Sequence, residues 1–194
     1  MCYNLYINIM SHLLYLLESI VSLSSKKKFY TIILLVIVSF SLPLLEFILN
    51  YFFFSEYMTP VTDINKFNIL SNFKNTLFLP TLIYYSINIL IEDILYRAPI
   101  SFIFIKRYTN RFLLYFILIS NLVFALSHLH YFDNQEFLIT IPSIFIGGII
   151  YSIIYILAGG KDSRILKPLF FVFTLHLTFD LIIFAFFGLP FNLN

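Results

Sequence analysis

The chain has 194 residues, of which 60% are hydrophobic and 11% charged, and its mean hydropathy is +0.92. That composition excludes an ordinary water-soluble domain, which would aggregate through so much apolar surface. A net charge of +2 is too small to point to nucleic acid, and the lone Cys2 permits neither an internal disulfide nor a paired-cysteine metal site.

Residues 1–24 are apolar but carry Asn4, His12 and Glu18 and lack a small-residue cleavage site. They read as a retained helix that either spans or lies in the interface. Lys26, Lys27 and Lys28 follow, so residues 1–28 form an N-terminal helix with a basic anchor and residues 29–194 one membrane domain without internal repeats. Phe29 to Phe54 exceeds the roughly 20 apolar residues a bilayer core requires. Only Glu46 interrupts it, as a packing residue or a distant pore group. Residues 55–75, with Pro60, Asp63 and Asn75, read as an extramembrane loop.

Helical character resumes near Thr76 or Pro80 and runs to Ile105, with a kink or break expected at Pro99. Lys106, Arg107 and Arg111 close that segment; Arg111–His130 is a third span, residues 131–136 an acidic turn, Phe137–Ala158 a fourth span and Leu169–Gly188 a fifth. The predicted fold is therefore an all-α, polytopic transmembrane bundle of five spans, with an N-terminal sixth or interfacial helix. Loops near 26–28, 106–111 and 161–167 hold nine Lys or Arg, against Lys66 and Lys74 on the other side. Basic residues favour the cytoplasmic face, which puts the 55–75 loop and the C-terminus outside.

Ionisable residues within spans are costly and mark a site, a relay or a satisfied pair. Three clusters stand out. Asp93 and Arg97 are four residues apart and share a helix face, as a buried ion pair would require. Glu92 points about 100° away from Asp93, with its charge unspent, where a general base would be. Phe124 lies one turn before His128 and can wall its ring, and His176 and Asp180 stack at the same spacing. A Glu, two His and a second carboxylate on three helices can hold and activate a water molecule. Each cluster also has a plainer reading: Asp93–Arg97 as a structural pair orienting Glu92, His128 or His130 as interfacial residues, and His176–Asp180 as a helix-packing hydrogen bond. Gly147–Gly148 reads as a close helix crossing.

These residues resemble the CPBP family, the CAAX-processing and bacteriocin-processing intramembrane proteases also called Abi proteins. Glu92-Asp93…Arg97 looks like the family's paired acids followed by Arg, Phe124…His128 like its Phe-x-x-x-His, and His176…Asp180 like its His-x-x-x-Asn/Asp. The motifs fall in order within residues 79–188, and the first 75 residues add nothing to the resemblance. It implies peptide-bond hydrolysis in the bilayer of a prokaryotic cell membrane. Glu92 and His128 would activate water, His176 and Asp180 would stabilise the oxyanion, and Asp93, Arg97 and Phe124 would support them. Two departures are Asp93, where a second Glu is common, and Asp180, whose ionised carboxylate cannot donate as an Asn amide does. A divalent metal such as zinc held by Glu92, His128, His176 and Asp180 is an open alternative to a metal-free glutamate mechanism, and no His-Glu-x-x-His zinc helix is present. The expected partners are a peptide or protein substrate and the lipid bilayer, with no nucleic acid. The competing readings are a non-catalytic bacteriocin-immunity or scaffold protein of the same fold, and a small transporter, against which the lack of an inverted repeat counts.

Overall fold

The structure is a computed structural model that describes residues 2–54, 78–128, 137–162 and 165–187. The 55–75 loop, the 131–136 turn, His130 and the Glu46 side chain lie outside the described residues. All regular structure among the described residues is helical: α1 Cys2–Val21, α2 Ser25–Phe54, α3 Phe78–Tyr96, α4 Ala98–Ile105, α5 Asn110–Ser127, α6 Phe137–Leu157, a 3₁₀ turn Gly160–Asp162, and α7 Leu166–Phe187.

Helix α1 joins the core through one stripe. Leu17 is buried, and Met10, Leu13, Leu14 and Val21 pack around the same cluster at helical spacing, while Tyr15 and Leu16 face outward. Two polar contacts fasten it. Lys161 Nζ donates to the Val21 carbonyl at 2.6 Å, placing a cation on the negative end of the helix dipole, and Asn110 Nδ2 donates to Glu18 Oε1 at 3.1 Å.

Where a kink or break is expected at Pro99, the chain breaks into two helices, two residues earlier at Arg97. Pro99 has no N–H and sits in the first turn of α4, where none is needed. Arg97 N still reaches the Asp93 carbonyl at 3.0 Å, whereas Ile100 N turns to the Arg97 carbonyl. On α4, Ser101 Oγ donates to the Gly160 carbonyl at 2.8 Å, which spends its single hydrogen, so the 2.8 Å contact with Tyr155 has the tyrosine hydroxyl donating. This buried pair of bonds fixes α4 to α6 and the 3₁₀ turn. Gly159, at φ 120°, makes the turn out of α6 where a side chain would be strained.

Thr109 caps α5 by accepting from Phe112 N. The helix buries Leu113, Leu114, Ile117, Asn121, Phe124 and Ala125, a stripe that carries Phe124 inward. Against it, α6 approaches closely at Gly148, where an added Cβ would run into Asn121 Oδ1; Gly147 faces open space. Asn121 Nδ2 donates to Ser152 Oγ at 3.0 Å, and Ser152 in turn donates to the Gly148 carbonyl. The crossing expected at the glycine pair is thus made by the second glycine. Below it, Ile150, Ile154, Leu113, Ile117, Leu169 and Val172 fill the core.

Large apolar side chains are exposed on the outer faces of several helices, among them Leu34, Ile37, Tyr84, Leu95, Ile119 and Phe170. Among the described residues, the helix Asn110–Ser127 is long and apolar enough to cross a membrane, with shorter apolar stretches at Ile7–Val21 and Ile141–Leu157.

Candidate active site

Helices α3, α5 and α7 bring the three predicted clusters to one place. Asp93 and Arg97 are both fully buried, with Arg97 Nη1 3.3 Å from Asp93 Oδ1. The same carboxylate oxygen lies 3.4 Å from His176 Nδ1. Asp93 therefore serves two cationic or N–H partners, one on its own helix and one on α7. Both separations are electrostatic contacts at the long edge, since neither Asp93 oxygen nor His176 Nδ1 makes a hydrogen bond of good geometry among the described residues. The other ring nitrogen, His176 Nε2, faces Asp180 Oδ1 at 3.9 Å.

Phe124 is the hub. Its ring receives the Arg97 guanidinium at 4.6 Å, meets His128 edge-on at 4.7 Å, and lies 6.3 Å from His176, with Tyr96 packed on it at 5.2 Å. A flat apolar face in this position separates charged groups while attracting the guanidinium. Tyr151 on α6 completes the wall, tilted over the His176 ring at 5.0 Å and 5.9 Å from the Arg97 guanidinium. The sequence reading does not reach Tyr151. Its signal is faint: one of 14 tyrosines, in an apolar span, sharing a helix face with Gly148 and Tyr155.

Helix α5 ends at His128, whose Nδ1 is 2.8 Å from the Phe124 carbonyl. A carbonyl only accepts, so Nδ1 carries the hydrogen, and Nε2 is the nitrogen that accepts or takes up a proton. Glu92 is half-buried on α3 and lies close enough to His176, Arg97 and Asp93 to feel their charges. Asp180, half-buried, is likewise within electrostatic range of Glu92, His128 and His176. The structure thus brings Glu92, Asp93, Arg97, Phe124, His128, His176 and Asp180 together.

No three His, Cys, Asp or Glu side chains among the described residues converge as a set able to hold a metal ion. Both nitrogens of His176 are turned to carboxylates instead. The quartet Glu92, His128, His176 and Asp180 does not fit a metal in this arrangement.

The family model described as Type II CAAX prenyl endopeptidase Rce1-like matches residues 74–182, more than half of the chain and all three clusters. No curated protein and no solved structure matches the chain.

Proposed function

The chain belongs to the Type II CAAX prenyl endopeptidase Rce1-like family, a family of membrane proteases, and from that premise we propose that it is a multi-pass intramembrane endopeptidase in which water, activated by Glu92 and His128, hydrolyses a peptide bond. The observation that carries this reading is the meeting of α3, α5 and α7 through Phe124 and through the Asp93–His176 contact.

Each residue has a distinct task. Glu92 takes a proton from water while His128, held by its own Nδ1–H on the Phe124 carbonyl, positions that water through Nε2. The water oxygen attacks the scissile carbonyl carbon. Negative charge develops on the carbonyl oxygen, which accepts from the Nε2–H of a doubly protonated His176; its Nδ1–H stays on Asp93, and Nε2, which faces Asp180 at 3.9 Å, is shared with the arriving substrate. As the C–N bond breaks, Glu92 passes its proton to the leaving nitrogen. Asp180 orients His176 from the Nε2 side, an acceptor's role that suits a carboxylate. Arg97, between Phe124 and Tyr151, holds Asp93 in place.

Embedding in a membrane is supported by the exposed Leu34, Ile37, Leu95, Ile119 and Phe170, which water would not tolerate. Lengths support it as well: the 21 residues of α6 and 22 of α7 reach roughly 31 and 33 Å, the thickness of a hydrocarbon core. The basic face formed by residues 26–28, 106–111 and 161–167 orients the bundle with that side inward, in a prokaryotic cell membrane as the family resemblance implies. The substrate class is a peptide carrying an apolar anchor, either a prenylated CAAX-type tail, as the family's description says, or a bacteriocin-like peptide.

Cleavage of a fluorogenic prenyl-peptide and an apolar peptide library by purified protein tests this. Glu92→Gln and His128→Ala are each expected to lower turnover by about 10²-fold or more with helicity unchanged. Turnover that survives Glu92→Gln rules out the catalytic reading and leaves a peptide-binding scaffold of the same fold. Loss with a chelator would assign a metal that this arrangement does not gather.

A further inference from the structure

Away from the active site, two adjoining hollows lie between α2, α7 and the turn after α6. The first, about 290 Å³, has Ser25, Lys28, Asp162 and Lys167 on its polar side. The second, about 540 Å³, is walled by Ile33, Val36, Ile37, Phe171 and Leu175. Both share Phe29, Ile32, Ala158 and Lys167, so the polar mouth opens directly into the apolar groove.

The mouth is rich in positive charge. Lys161, held on the Val21 carbonyl, has its ammonium next to that of Lys28. Desolvation, and then this neighbour, push the Lys161 amine below the usual lysine range, and Asp162 opposes the shift. Among the described residues, Lys28, Lys161 and Lys167 thus gather around the carboxylate of Asp162, an excess of positive charge that an anion relieves. From Lys28 to Ile37 along α2 is nine residues, about 13 Å of continuous apolar groove below the lysines. The basic mouth also belongs to the loop set that defines the inward face of the bundle, at the depth of a lipid headgroup.

We propose that this composite hollow binds one anionic lipid, its headgroup between Lys28 and Lys167 and an acyl chain along Ile33 and Ile37. The inference rests on the membrane reading but not on peptide hydrolysis. A lipid there fastens α2 to α7, the helix that carries His176 and Asp180; Phe40 of α2 already packs on Phe179 of α7 at 5.6 Å.

The test is native mass spectrometry of the full-length protein in non-ionic detergent, titrated with phosphatidylglycerol and phosphatidylcholine of identical chains. One phosphatidylglycerol is expected to be retained about 30-fold more tightly, the order that two interfacial lysines supply. The double variant Lys28→Gln/Lys167→Gln should lose that preference. Ile33→Trp, at an exposed position, should fill the groove and weaken retention while far-UV helicity stays at the wild-type level. Equal retention of the two lipids by wild type overturns the proposal without recourse to any variant. So does an unchanged preference in the lysine variant, displacement by inorganic phosphate alone, or displacement by a cleavable peptide, which would assign the groove to substrate. Loss of peptidase activity in Glu92→Gln leaves lipid retention untouched, so the two readings fail separately.

Discussion

Asp93→Asn isolates what the buried carboxylate does. In the native fold its Oδ1 faces Arg97 at 3.3 Å and His176 at 3.4 Å, and all three groups are buried. The amide removes the charge while keeping the shape, so Arg97 loses the carboxylate at 3.3 Å and is left as a buried cation against the Phe124 and Tyr151 rings. Breaking a buried pair in this way costs on the order of 3–5 kcal/mol. Removing both charges, in Asp93→Asn/Arg97→Met, should cost only about 1 kcal/mol, because the stranded cation is gone and just the His176 contact is weakened. The chain has no tryptophan, so unfolding is followed by far-UV ellipticity during titration of mixed micelles with denaturing detergent. A loss below about 1 kcal/mol for the single variant, or a double variant as unstable as the sum, would refute the ion-pair reasoning.

Other substitutions separate structural from chemical roles. Gly148→Ala drives a methyl into Asn121 and should destabilise by about 1–3 kcal/mol, whereas Gly147→Ala, facing open space, should be neutral or slightly favourable in the same unfolding assay. Ser101→Ala leaves the Gly160 carbonyl and the Tyr155 hydroxyl without their partner and should cost about 1–3 kcal/mol, with cleavage kinetics in the surviving folded fraction unchanged. Tyr151→Phe removes a buried hydroxyl that makes no hydrogen bond among the described residues, so stability should hold or rise slightly. A tenfold or larger fall in kcat for that variant, with KM unchanged, would place the hydroxyl in the chemistry.

Helix positions were legible in the sequence because apolar runs bounded by lysine and arginine clusters mark them directly, and the ends of α2, α6 and α7 fall close to the expected limits. The three clusters were legible too, since a four-residue spacing stacks two side chains on one face in any helix. Depth was not. A kink or break near Pro99 does not say how far the rise of α3 departs from that of α4, so the level at which Asp93 meets His176 is set by the folded helices and not by residue counts. Contacts between distant segments left no local trace: Lys161 on Val21, Asn121 on Ser152 and Tyr151 over His176 each join helices whose relative rotation no spacing encodes.

The buried polar residues fall into two populations. In the first, Ser101, Tyr155 and Ser152 make short bonds with fixed donors, and Asn121 Nδ2 reaches both Ser152 and the Ile117 carbonyl. Such groups hold helices together, and natural folds keep them satisfied. In the second, Asp93, Arg97, Tyr151 and His176 lie close together but pair through longer electrostatic and ring contacts, with several polar atoms outside hydrogen-bonding geometry. An apolar cluster of similar volume would be at least as stable there. Under-bonded charge packed around one aromatic ring stabilises the fold poorly, yet it leaves donors and acceptors available to a reacting group that arrives between the helices. Among the described residues, most of this unspent polarity gathers where the three family-like motifs meet, with Asn121 Oδ1 an exception at the α5–α6 crossing, and that coincidence ties the energetics of the fold to the chemistry proposed for it.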